Sequence, residues 1–301
     1  MNFLEKYPLP ISGLILGLTA LGNLLMSYSE ILRNILGIVA GILLILFVLK
    51  FVFYPQQIKK ELDNVLIASV IPTFPMALML LSTYLISDFP TFAFIIWISG
   101  LVIHLLLIIW FSLKFVCQFN IKQVFPTWFI VYVGLTLVSV TGKYGMDNLG
   151  RVAFWFGLIT YLILLCPVLY RIIKIKEMPE PALPTLVILA APASLLLAGY
   201  INSFTEKNMT IIYLLMTLSL IFYIRVIIML SRLLKLKFYP SYSGFTFPLV
   251  ISATALKLTK EYFANYNHEL YFLDFLLYFQ VIVAVIITFY ILIRYIQFLA
   301  P

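Results

Sequence analysis

Ten apolar runs, each roughly as long as a bilayer is thick and separated by short polar connections, leave this chain almost no choice of solvent. They lie at about 8–27, 31–53, 65–86, 91–116, 126–142, 148–172, 183–200, 210–232, 241–259 and 270–297. A helix needs roughly 20 apolar residues to cross the hydrocarbon core. A strand in lipid must close into a barrel and alternate its two faces, and these runs do not alternate, so each is predicted to be helical. Hydrophobic residues make up 63% of the 301 and charged residues 11%, where a soluble domain has roughly 45–50% and about 25%. A fold this apolar could not cover its surface in water. The expectation is an all-α membrane protein with ten transmembrane helices in one transmembrane domain over residues 1–301.

Charge sets the orientation. With the N-terminus in the cytoplasm, thirteen of the lysines and arginines fall on that side. Six fall on the far side, namely Arg33, Lys143, Arg151, Lys207, Lys257 and Lys260, with Arg225 inside a run and left uncounted. The excess predicts both termini on the cytoplasmic face of the plasma membrane, the inner membrane in a bacterium. The net charge of +8 is spread through these connections, where it meets anionic lipid headgroups, so no nucleic-acid partner is implied. Lys6 precedes the first run but no small-x-small cleavage pattern follows, and that run is read as a retained span. Cys117 and Cys166 show no metal or disulfide spacing.

The odd-numbered runs begin near 8, 65, 126, 183 and 241, at spacings of 57, 61, 57 and 58. The repeating unit is therefore a helical hairpin, present five times. Eight of the fifteen prolines lie in the odd runs: Pro8, Pro10, Pro72, Pro75, Pro126, Pro184, Pro192 and Pro248. Those runs hold no Asp, Glu, Lys, Arg or His until Lys257, and they are rich in small residues such as Gly13, Gly17, Ser69, Ser194 and Ser252. Proline bends a helix and small side chains let backbones approach or leave space beside an axis. Two arrangements fit: five bent helices around a common pore with the even helices against lipid, or small-residue packing alone.

Single residues discriminate less. His104, in the fourth run, is predicted to be a neutral histidine hydrogen-bonded to a neighbouring helix. Arg225 is read as a snorkelling anchor, and Arg33 and Asp274 as interfacial. Lys257 and Lys260, at the far end of the ninth run, either concentrate anions at a pore mouth or are ordinary helix-end lysines. No catalytic constellation, phosphate loop or cofactor motif is present, and the longest loops have about a dozen residues, so neither an enzyme nor a bound cofactor is expected.

Set side by side, the odd runs resemble a known family. "PLPISGLILGLTALGNLL", "VIPTFPMALMLL", "FPTWFIVYVG", "LAAPASLLLAGY" and "GFTFPLVISATA" are similar to the first, third, fifth, seventh and ninth helices of the tellurite-resistance/dicarboxylate transporter family. That family includes bacterial TehA-type channels and the slow anion channels of plant guard cells. The resemblance implies five hairpins in quasi-five-fold arrangement, a homotrimer with a pore in each subunit, and passive conduction of small inorganic or organic anions. It also implies a pore lined by the kinked odd helices, with Pro10, Gly13, Pro72, Pro126, Pro192 and Pro248 at the lining or the kinks. Phe247, in the aromatic-x-Phe-Pro motif, is implied to close that pore. Ser243 and Gly244 stand where plant relatives carry bulky aromatics, and the regulation exerted through the long tails of those relatives is not carried over. A secondary transporter of dicarboxylate, sulfite or tellurite-type oxyanions is the alternative.

Overall fold

The computed structural model describes residues 3–142, 144–265 and 272–300. Lys143 and the first two positions of the tenth run lie outside them. Ten helical stretches occupy the ten predicted runs. They are α1 (Ile11–Leu25), α2 (Glu30–Phe53), α3 (Val65–Leu85), α4 (Pro90–Val116), α5 (Trp128–Thr141), α6 (Asp147–Ile175), α7 (Glu180–Ser203), α8 (Met209–Leu233), α9 (Thr246–Ala264) and α10 (Phe272–Leu299). The described residues contain no strand. Seven of the ten are long and apolar enough to cross a membrane by themselves, and α1, α5 and α9 are not among them.

Of the three, α9 has 19 residues but carries Lys257, Lys260 and Glu261, while the prolines shape the backbone of the odd helices generally, the spanning α3 and α7 included. The predicted bend within an odd helix is realised as a helix that stops and restarts. Pro10 is the N-cap of α1, and Pro72 is the N-cap of the second half of α3, Thr73–Leu85. In α7 a 3-10 stretch, Glu180–Ala190, hands over to an α-helix in whose first turn Pro192 sits. A 3-10 turn, Pro240–Phe245, likewise precedes α9, with Pro248 in its first turn. The first turn of a helix is where a missing N–H costs nothing, because those donors have no partner within the helix. Part of each odd run is thus spent on tighter or irregular backbone.

The odd helices form the inside. The apolar windows of α3 and α7 are 67% and 89% buried, against 28–33% for the five even helices. α1 packs on α3, α3 on α5, α5 on α7, α7 on α9, and α9 returns to α1, which closes a ring. Each even helix lies in the outer groove between its hairpin partner and the next odd helix. Their outward faces carry Ile38, Ile42, Ile45, Ile159, Ile163, Ile224 and Ile286, all exposed. Such a surface is stable against acyl chains and not against water.

A hydroxyl bond stitches every seam of the ring. Thr73 Oγ1 donates to Ser12 Oγ at 2.7 Å and Ser69 Oγ to Thr127 Oγ1 at 2.6 Å. Ser203 Oγ donates to the Ser139 carbonyl at 3.1 Å, and the Ser194 and Ser252 hydroxyls are hydrogen-bonded at 3.0 Å. Thr246 Oγ1 donates to the Gly13 carbonyl at 3.0 Å. With lipid outside there is little hydrophobic force to hold helices together, so close contact and such bonds do it. Ser69→Ala is expected to cost about 0.5–1.5 kcal/mol and to leave anion passage unchanged, measurable as a lowered unfolding midpoint in detergent beside an unaltered flux.

The hairpin turns lie at one end of the ring, here the tip, and the chain termini at the other, the base. At the base Lys50 is almost fully buried, donating to Glu61 Oε1 at 2.9 Å and to the Tyr7 carbonyl at 2.6 Å. On the exposed rim, the Lys122 ammonium beside Glu177 holds that carboxyl below the usual carboxylate range.

Candidate conduction pathway

Three voids follow one another within the ring. The base vestibule offers about 380 Å³ to the centre of a water-sized sphere and is walled by Lys6, Pro10, Lys50, Glu61 and Ser241 among others. The central void offers about 40 Å³ and draws its wall from all five odd segments: Gly13, Thr73, Gly134, Pro192 and Phe247, for example. The tip vestibule offers about 420 Å³ and is walled by Asn23, Arg33, Thr83, Asn202 and Phe247 among others. Val70 and Ser241 belong to both the base vestibule and the central void. Among the described residues, Phe247 alone belongs to both the central void and the tip vestibule.

The local sequence explains how Phe247 comes to stand there. The 3-10 turn Pro240–Phe245 sets the angle at which α9 begins, and Phe247 lies in the first turn of that helix. Gly17 of α1 makes room for it, because a Cβ at Gly17 would overlap the Thr246 hydroxyl and stand 3.2 Å from the Phe247 nitrogen. Phe247 is 7% exposed and lines both voids. Among the described residues no charged side chain lines the central void; its polar side chains are those of Thr73, Thr185, Ser241 and Ser243. A volume of that size admits a few bare water molecules. A hydrated anion does not fit.

The other predicted positions are distributed unevenly. Gly13, Pro192 and Pro248 line the central void beside Phe247, and Pro10 lines the base vestibule. Pro72 and Pro126 line none of the three voids and act at the heads of their helices. Lys257 and Lys260 are also absent from the walls: Lys257 donates to Ser27 Oγ at 2.7 Å, and Lys260 pairs with Asp274 of α10. His104 meets the next helix as expected, its Nε2 donating to the Val131 carbonyl at 3.0 Å. Arg225 is exposed on the outer face of α8.

Two cations on the vestibule walls have no such place in the sequence reading. Lys50 reads there as one more topology charge, and Arg33 as an interfacial residue. Their signal is faint: both stand in the second run, Lys50 between Leu49 and Phe51 and Arg33 between Leu32 and Asn34.

Residues 7–296 match the voltage-dependent anion channel family. The chain is 28% identical over 223 residues to the tellurite resistance protein TehA homolog of Haemophilus influenzae, covering 67% of this chain and 66% of that protein. It is also 28% identical over 176 residues to an uncharacterized transporter of Methanocaldococcus jannaschii, covering 54% of this chain and 52% of that protein. The matched region thus spans just under two thirds of the first relative and about half of the second.

Proposed function

The chain belongs to the voltage-dependent anion channel family, and on that premise we propose that this multi-pass membrane protein is a passive channel for small monovalent anions, held shut by Phe247. The base faces the cytoplasm of the plasma membrane, with both termini, and the tip faces outward. Three copies assemble, each with its own pathway along its ring axis. One observation carries this reading: a single aromatic side chain is the common wall of two internal spaces, of about 40 and 420 Å³, inside a closed ring of helices. A hydrophobic constriction of that kind resists wetting, and displacing the ring opens it.

Selectivity follows from the wall. The central void offers hydroxyls and no fixed charge, so an anion is neither trapped nor neutralised there. Chloride and nitrate suit it better than doubly charged species, which lose more on shedding water. The alternative, a carrier for dicarboxylate, sulfite or tellurite-type oxyanions, fits the name of the Haemophilus relative. Coupling a carrier to protons requires titratable groups near mid-membrane, and none lines this void.

Reconstituted protein separates the two readings. A channel gives currents that reverse near the anion equilibrium potential and do not change when a proton gradient is imposed. Uptake of malate that stops when the proton gradient is collapsed would overturn the channel reading.

A further inference from the structure

Arg33 stands on the wall of the tip vestibule, and its guanidinium is fixed from several sides. Nε donates to Asn23 Oδ1 at 3.1 Å and Nη2 to the Thr83 carbonyl at 2.9 Å. The guanidinium carbon lies 4.1 Å from the centroid of the Tyr84 ring, within the range of a cation–π contact. Asn23 is held in turn, donating from Nδ2 to Thr83 Oγ1 at 3.0 Å. Tyr84 is wedged between α1 and α2, its hydroxyl donating to the Thr19 carbonyl at 2.7 Å, where a Cβ on Gly37 would stand 2.5 Å from its ring. Groups from two other helices therefore hold one cation beside a space of about 420 Å³. An interfacial anchor would instead trail a free side chain toward headgroups.

The rest of the guanidinium fork has no hydrogen-bond partner among the described residues. The other charged side chain on that wall is Glu30, which is exposed and forms no ion pair there. We propose that Arg33 is the centre of an anion-loading subsite on the tip side, which gathers small hydrated anions, planar oxyanions such as nitrate among them, before they reach Phe247. The proposal rests on the conduction reading above. A fixed cation in a recess raises the local anion concentration, and the planar fork presents paired N–H groups to a planar oxyanion.

The test uses the full-length Phe247→Ala protein in planar bilayers, where loading rather than the ring limits the current, with nitrate varied on one side at a time. Adding Arg33→Gln is expected to raise the half-saturating nitrate concentration on the tip side about three- to tenfold, with less than about a twofold change on the base side. Glu30→Gln is expected to lower the tip-side value. An unchanged tip-side value in Arg33→Gln, or equal shifts on both sides, overturns the subsite. Should Arg33→Gln fail to assemble, Glu30→Gln decides: a tip-side value that does not fall overturns it. A silent Phe247→Ala parent would sink the conduction reading, and it would do so before Arg33 is touched.

Discussion

Replacing Phe247 with alanine is expected to raise chloride or nitrate conductance at least about tenfold, the effect of removing about 1.4 kcal/mol from the barrier. The estimate is a lower bound. The central void leaves about 40 Å³ for water on one side of the ring, and the tip vestibule leaves about 420 Å³ on the other. With the ring in place an anion must shed most of its hydration shell to pass, which costs far more than that amount in an apolar wall. Alanine joins the two spaces. Phe245 provides the control, because it is fully buried, lines no void and packs its ring 4.8 Å from that of Tyr242. Phe245→Ala is expected to cost about 3–5 kcal/mol in stability, as for other buried aromatics, and to open nothing. Phe247→Ala faces space on two sides and is expected to cost less. Conductance in bilayers and unfolding midpoints in detergent read both halves of the prediction. Equal conductance in wild type and Phe247→Ala would remove the ring from the mechanism.

The second large effect lies at the seam between α9 and α1. Gly17→Ala is expected to destabilise the protein by about 2–4 kcal/mol. The added methyl would occupy the position of the Thr246 hydroxyl and approach the Phe247 backbone nitrogen at 3.2 Å, and backbone cannot swing aside as a side chain can. Moving Thr246 also breaks its 3.0 Å bond to the Gly13 carbonyl. Removing the obstructing side chain should recover part of the loss. Gly17→Ala combined with Thr246→Gly is expected to be more stable than the sum of the single losses by at least about 1 kcal/mol. Heat-induced aggregation of the four proteins in one detergent measures that coupling. Strict additivity would mean that the seam relaxes without strain.

The inside–outside division of the helices was legible in the sequence for a plain reason. A helix surrounded by protein loses its charges and gains small residues, and a helix against lipid does not need to. The odd runs show that contrast from Gly13 to Ser252, and the ring bears it out. What proline does there was only half legible. Pro72 inside a continuous apolar run looks the same whether the helix bends or restarts, since the run is set by lipid and not by backbone hydrogen bonds. Phe247 came from family resemblance, because one phenylalanine among 26 has no composition of its own.

Charge was the least legible part. The sequence left Lys257 and Lys260 open between a pore mouth and an ordinary helix end, because a residue's height along a helix says nothing about the side it faces. Lys257 reaches Ser27, and Lys260 turns to Asp274. Arg33 faces inward because Asn23, Thr83 and Tyr84 hold it there. Those partners come from two other helices, and no window on the second run contains them.

The last seam joins residues 233 positions apart, Thr246 to Gly13. At a synthesis rate of about 5–20 residues per second, α1 waits about 10–50 s for that neighbour. Throughout this interval its grooved flank must rest against acyl chains or against the insertion machinery. The barrel of helices is then a horseshoe with one side missing. A chain whose translation stops before the ninth helix stays in that form, and an anion in it has no enclosed route to follow.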